Sequence, residues 1–388
     1  MLLADRQNYD LYKSGNCRFD GLAQSQHIPN MFKIDNAELT AICDLNKDVL
    51  NKVGDYYGIK RRETDFGKVL SDPEIDGALI VTRADSHVPL TMEALAAGKH
   101  VYVEKPLAET EAECAKVIAA QKKYGKIVAI GMNRRMSPAY RYAKELLWKQ
   151  DGPKNMFYRI TDSYCLDWGI PYGAGNRIIH EICHIFDIMR FFADSEVESV
   201  YCVSSRPDDE QVVLKFESGI MGSGYVNSCM PKEHFEAIAR IGGLTVDDFA
   251  EVHQYSLDPD SPCSRKFAGH SHPMHDLIHE YLLEELGDEG MRAVRRVSWK
   301  AVERIRELEA AGNTTGCAEY RTLKQFADKT PLRNYFMDKG WRSALEDFAE
   351  AILTGRDFQG AKAFDGFQAA RITEAAIQSR ETDMPVRL

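Results

Sequence analysis

From residue 37 onward, short apolar runs alternate with longer stretches of mixed polarity. Residues 37–43 (AELTAIC), 77–82 (GALIVT), 101–103 (VYV) and 127–131 (IVAIG) are rich in β-branched and aromatic side chains, as buried strands are. Between them, residues 47–57, 89–97 and 109–124 have helical length, and Gly98 follows the second as a stop. Strictly alternating strands and helices predict parallel strands joined by crossover helices, hence a doubly wound sheet. Residues 137–148 predict a further helix, and 149–154 a boundary.

The pattern then changes. Residues 156–163, 197–204, 211–217 and 220–228 read as strands, with a Glu217-Ser218-Gly219 turn between the last two. Few helices separate them, which predicts a large, mostly antiparallel sheet. Residues 258–330 break the strand pattern with a polar stretch carrying His270, His272, His275 and His279, then helices over 274–286 and 291–311. Residues 341–353 and 366–379 read as closing helices, with Gly355 as a stop. The expected organisation is α/β throughout. A Rossmann-like doubly wound domain occupies 1–150. A C-terminal α/β domain with a large, mostly antiparallel sheet occupies 151–388 and carries a helical insertion at about 258–330.

A chain of 388 residues fits two such domains. A net charge of −10 without a basic run argues against nucleic acid and anionic membranes as partners. No apolar run approaches the roughly 20 residues that span a bilayer. The start, Met-Leu-Leu-Ala-Asp-Arg, lacks the pattern of a secretion signal, and the nine cysteines contain no C-x-x-C pair. A reduced, cytoplasmic protein is the expectation.

Chemistry concentrates at strand ends. The strand 101–103 runs into Glu104-Lys105-Pro106, where proline ends the ladder for want of an N–H. Ligands of open α/β sheets bind beyond the carboxyl ends of strands, so Lys105 is placed to exchange a proton with a substrate. A solvated charge pair is the alternative. Asp44 closes an earlier strand, where an acid holds the ribose hydroxyls of NAD and repels the 2′-phosphate of NADP. The phosphate turn before it is unusual. No G-x-G-x-x-G occurs, Gly21-Leu22-Ala23 precedes the first expected helix, and the stretch Tyr12–Asp20 upstream is polar and a poor strand. Either the turn is degenerate or cofactor binding is lost. His180-Glu181-Ile182-Cys183-His184 spells H-E-x-x-H, which on a continuous helix puts both histidines on one face, as zinc ligands stand. The pattern is short and recurs by chance, so metal binding by His180 and His184 is an open alternative.

Together these motifs resemble the glucose–fructose oxidoreductase / inositol dehydrogenase / rhizopine-catabolism (Gfo/Idh/MocA) family over about residues 20–255 and 338–388. The likeness rests on Ala23-Gln24-Ser25-Gln26-His27-Ile28-Pro29, Val81-Thr82-Arg83-Ala84-Asp85-Ser86-His87, Glu104-Lys105-Pro106, Gly131-Met132-Asn133-Arg134-Arg135, Gly173–Asp187, Lys339-Gly340-Trp341 and Met384-Pro385-Val386. The resemblance implies NAD-dependent oxidation or reduction of a hydroxyl on a sugar, glycoside or cyclitol, and a homo-oligomer joined through the C-terminal sheet. It implies cofactor contacts from Gly21, Leu22, Ala23 and Asp44, from Thr82, Arg83 and His87, and from Glu104, Lys105 and Asn133. It implies Lys105 and His184, or His180 in another register, as acid/base groups. Substrate contacts would come from Lys105, Arg134, Tyr164, Asn176, His180 and His184. Many members carry an aspartate four residues before the histidine. Here that position is His180, or Asn176 in the other register, so the orienting acid is missing. Two rival readings are a redox-neutral glycoside-cleaving or eliminating enzyme of the same family, and a non-catalytic subunit without cofactor.

Overall fold

The computed structural model describes residues 2–5, 22–161, 177–205, 208–227, 232–257, 264–267, 300, 304–305, 307–314, 316–329 and 338–388. It forms two compact units, residues 1–266 with 339–388, and residues 267–338.

The first sheet has six parallel strands: β1 (Leu2–Asp5), β2 (Ala41–Asp44), β3 (Arg62–Glu63), β4 (Gly77–Ile80), β5 (His100–Val103) and β6 (Val128–Ile130). Their order is β3-β2-β1-β4-β5-β6. The order reverses between β1 and β4, which opens a ligand crevice beyond the strands' carboxyl ends. A π-helical turn (Ala23–His27) leads into α1 (Ile28–Met31). The helices α2 (Lys47–Tyr57), α3 (Phe66–Leu70), α4 (Ala84–Ala96) and α5 (Glu111–Tyr124) follow. Asn46 caps α2 by accepting from the N–H groups of Asp48 and Val49.

Both faces of this sheet are covered, which is why its strands are apolar at every position rather than at alternate ones. Val101 and Val103 pack one way with Leu90, Ala94 and Val117, and Tyr102 packs the other way with Leu345 and Phe348. The closing helices Trp341–Thr354 and Ala363–Thr382 thus complete opposite faces of the N-terminal sheet, through Phe348 on one and Ala369 and Ala370 on the other.

The second sheet has nine strands: β7 (Asn155–Thr161), β8 (Val197–Ser204), β9 (Glu210–Phe216), β10 (Met221–Asn227), β11 (Lys232–Ile238), β12 (Gly242–Asp247), β13 (Glu251–Ser256), β14 (Ser264–Lys266) and β15 (Val386–Arg387). Only β7 and β10 run parallel; the other pairs are antiparallel. Against its inner face lie α6 (Pro138–Trp148) and α8 (Ile182–Ala193), the latter preceded by the short α7 (Arg177–His180). α8 comes close to β10 because Gly222 and Gly224 face it. A Cβ on Gly222 would meet Met189 Sδ at 2.7 Å, and one on Gly224 would meet Ile185 at 3.0 Å.

Several expectations are corrected. The first strand is Leu2–Asp5, whose apolar residues pair with β2 and β4. The polar stretch 12–20 and the glycine turn after it lie outside the described residues. Asp44 is the last residue of β2 rather than its terminator, paired with Asp5. The helix expected from Pro89 begins at Ala84, and Pro89 sits within it. β11, β12 and β13 had no sequence signal strong enough to name them: their outward positions hold His234, Glu236 and Thr245, and Gly242-Gly243 opens β12. The histidines at 270–279 and the helix at 274–286 lie outside the described residues, as do Gly21, Tyr164 and Asn176.

Candidate active site

β5 delivers Glu104 and Lys105 to the carboxyl edge of the first sheet, followed by a cis Lys105–Pro106 bond. Glu104 is buried, and its carboxylate is held from two sides. His27 Nε2 donates to Oε1 at 2.8 Å, and the Lys105 N–H donates to Oε2 at 3.2 Å. Gly131 makes the room: a Cβ there would stand 2.5 Å from the Glu104 carboxyl carbon. On the far side, the His87 ring bridges two strand ends, with Nδ1 2.6 Å from the Pro106 carbonyl and Nε2 3.0 Å from that of Thr82. Burial depresses the His87 pKa. A neutral ring carries one N–H, and the shorter contact to Pro106 claims it.

The Lys105 ammonium reaches across to the junction of α7 and α8. Nζ donates to the His180 carbonyl at 2.6 Å and lies 3.4 Å from Glu181 Oε1. Burial pulls its pKa down, but Glu181, Cys183 and Glu104 together outweigh that, so the group stands above the ordinary lysine value. Burial likewise pushes the Glu181 carboxyl up, and Lys105, Arg134 and Arg177 together hold it below its usual range. His184 is buried, and its Nδ1 has no hydrogen-bond partner among the described residues. Burial first, then the positive charges of Arg134, Lys105 and Lys339, keep its pKa well below the ordinary histidine value. His180 is pushed down to about 4 by burial and by Lys105. Both rings are neutral at physiological pH.

The H-E-x-x-H segment is not one helix. α7 ends at His180, Glu181 takes φ −119° and ψ −42°, and α8 starts at Ile182. The interruption removes the shared face that the zinc reading requires and turns Glu181 toward Lys105. Among the described residues, no group of three or more His, Cys, Asp or Glu stands arranged to hold a metal ion.

Other expected residues are placed differently. Arg134 was expected on the substrate. Its guanidinium is instead bidentate on Glu233, with both contacts at 2.8 Å. Glu233 also accepts from Lys339 Nζ at 2.7 Å and the Tyr158 hydroxyl at 2.8 Å. These partners outweigh burial and bring its pKa down to about 2. Asn133 spends its amide on the Lys339 carbonyl, at 2.7 Å. Arg83 is exposed and paired loosely with Asp85, while Thr82 receives the Ser86 hydroxyl at 2.7 Å. Ala23 is buried in the core, leaving only its backbone for a ligand, and Leu22 is half-buried.

His27, Glu233 and Lys339 were not assigned roles from sequence, and Glu181 was weighed only as a zinc-site base. Their partners lie 77, 99, 106 and 76 residues away, so no local pattern announced them.

The donor set suits a dinucleotide. Asp44 ends β2 at the crevice, with Oδ1 taking the Asn46 N–H at 2.6 Å, and burial raises its pKa to about 6. An acid beside the switch point receives ribose hydroxyls. A six-stranded parallel sheet in this order, with that acid at the end of β2 and a lysine just past the end of β5, defines a Rossmann-type nucleotide-binding protein with a C-terminal sheet domain.

Residues 19–132 match the family profile described as an oxidoreductase family with an NAD-binding Rossmann fold, Gfo/Idh/MocA. That segment carries the NAD-binding domain of the Gfo/Idh/MocA oxidoreductase family. It is 30% identical to myo-inositol 2-dehydrogenase of Thermotoga maritima over 209 residues, 50% of this chain and 63% of that protein. The chain thus spans under two thirds of that relative's length. It is 27% identical to inositol 2-dehydrogenase of Salmonella paratyphi B over 376 residues, 93% of this chain and 92% of that one. The fold is similar to scyllo-inositol dehydrogenase of Lactobacillus casei, solved with bound NAD(H) and scyllo-inositol. That likeness has a TM-score of 0.66 and 16% identity, and covers 100% of this chain and 98% of the other. Among the described residues, no helix is long and apolar enough to cross a membrane.

Proposed function

We propose that the protein is an NAD-dependent dehydrogenase acting on a hydroxyl of a cyclitol or sugar. The observation that carries this reading is Lys105 at the carboxyl edge of a Rossmann sheet, with its Nζ 2.6 Å from the His180 carbonyl in the segment that carries the buried, neutral His184. Relatives named as inositol dehydrogenases support the substrate class. NAD supplies the acceptor for the hydride leaving the substrate carbon. Asp44 would hold it at the ribose and repel a 2′-phosphate, and the Thr82–Arg83 turn and the Glu104–Lys105 strand end would line its path. The chain's own residues handle the proton. Lys105 donates a hydrogen bond to the substrate oxygen and stabilises the charge that develops there. His184, neutral, takes the hydroxyl proton as the C–O bond becomes a carbonyl.

The test is purified protein with NAD and a panel of inositols, aldoses and glycosides, followed by nicotinamide absorbance and calorimetric NAD binding. Reduction of NAD with at least one cyclitol or sugar is expected. Product formation without net NADH would favour the redox-neutral reading, and no NAD binding would remove both.

We also infer a homo-oligomer through the outer face of the nine-stranded sheet. That face exposes Val203, Val213, Met221, Ile238 and Tyr255, a row of apolar side chains drawn from β8 to β13. Light scattering on the purified chain tests it, and a monomer at micromolar concentration would refute it.

A further inference from the structure

Three buried carboxylates, Glu104, Glu181 and Glu233, belong to this site, and two are already committed. Glu104 is held by His27 and the Lys105 backbone N–H. Glu233 is saturated by Arg134, Lys339 and Tyr158. The third, Glu181, is 7% exposed, and the cation beside it is Lys105 Nζ at 3.4 Å. Burying a carboxylate costs several kcal/mol unless a charge answers it. The chain nevertheless interrupts a helix at Glu181, which a surface glutamate would not require. The break is stitched on both sides, by the Glu181 N–H on the Arg177 carbonyl at 2.8 Å and the His184 N–H on the Glu181 carbonyl at 3.1 Å. It therefore fixes where the carboxylate stands relative to both Lys105 and His184.

We propose that Glu181 is the positioning residue of this site, replacing the missing orienting acid: it keeps Lys105 charged and aimed, making Lys105 the hydrogen-bond donor and His184 the proton acceptor. This rests on the reading of Lys105 and His184 as the acting pair in hydroxyl oxidation. In each turnover the hydride leaves the substrate carbon for NAD, the hydroxyl proton moves to His184, and Lys105 keeps its proton throughout.

The groups facing Lys105 set the expected titration. Glu104 lies on its own strand end, Arg134 comes from the turn after β6, and His180, Glu181, Cys183 and His184 come from the α7–α8 segment. Glu181 heads the carboxylates that raise Lys105, and Arg134 opposes it. Removing the Glu181 charge takes away the largest of the contributions that oppose burial, which weakens the ammonium.

Glu181→Gln preserves size and removes the charge. In the parent, kcat/KM is expected to hold up to alkaline pH. In the variant the alkaline fall should move down by about one to two pH units, and Glu181→Asp should restore part of the difference. NMR of protein labelled with 13C at lysine Cε reads the same titration without turnover, with Lys105→Met assigning the signal. A rate loss equal at every pH, with the Lys105 titration unmoved in Glu181→Gln, would overturn the proposal. Should the parent oxidise no substrate, the dehydrogenase reading fails on its own. The Lys105 signal still decides whether Glu181 holds its charge.

Discussion

His27 Nε2 donates to Glu104 Oε1 at 2.8 Å, tying the first helical turn after the cofactor loop to the strand end that carries Lys105. Both side chains are buried, and the His27 ring lies edge-on to Tyr102. Because Glu104 also accepts the Lys105 N–H, this contact bears on both stability and the aim of the lysine. His27→Ala should lower unfolding stability by about 2 kcal/mol, the usual loss for a hydrogen bond to a charged acceptor. It should also reduce kcat/KM. His27→Gln, which keeps a donor, should lose less of both. Urea unfolding and steady-state kinetics on the three proteins check this.

Gly131 is needed for its missing side chain rather than for backbone freedom. Gly131→Ala would push a methyl into the Glu104 carboxylate, with Cβ 2.5 Å from its carboxyl carbon. Overpacking of this kind costs about 1–3 kcal/mol. The melting temperature should fall, and kcat should fall more than substrate affinity, because the displaced group orients Lys105.

Asp44 gives a pH signature with two opposite slopes. Burial raises its pKa from 3.8 to about 6. The ionised form accepts ribose hydroxyls, so NAD affinity should be full well above pH 6 and decline as pH falls through that value. Without cofactor the sign reverses. Between pH 3.8 and about 6 the folded state binds more protons than the unfolded one, so this group's contribution to stability falls as pH rises. Calorimetric titration of NAD across the range, alongside unfolding of the apoprotein, separates the two. Asp44→Ala should flatten both and narrow the preference for NAD over NADP.

Glu233 should dominate acid unfolding. Its pKa lies at about 2 in the folded state, against 4.5 ordinarily, so the stabilisation is present above 4.5 and is lost as pH falls toward 2. Glu233→Gln leaves Arg134 and Lys339 buried without their counter-charge and should cost about 3–5 kcal/mol at neutral pH. It should also flatten the stability curve between those two values. Chemical denaturation at a series of pH values is the measurement.

Much of the fold was legible because its signals are local. The strands VYV and GALIVT are apolar at successive positions, and only a sheet buried on both faces uses such runs. Leu2–Asp5 carries the same signal. The hairpins β11–β13 were illegible because their outward positions are polar and glycine starts one of them.

Within the site, sequence alone determined the residues that chemistry marks by type and by place at a strand end: Asp44, Glu104 and Lys105. It also confined the histidines to the short segment 180–184. Tertiary structure decided what each one does. The helix break at Glu181 put a carboxylate beside Lys105 where the sequence spelled a zinc-like pattern, and folding paired Arg134 with Glu233. Closing segments far along the chain supplied Lys339 and the cover over Tyr102. The reason is physical. Strand and helix preferences act over a few residues, whereas a buried charge is set by whichever opposite charge folding brings within a few ångströms of it.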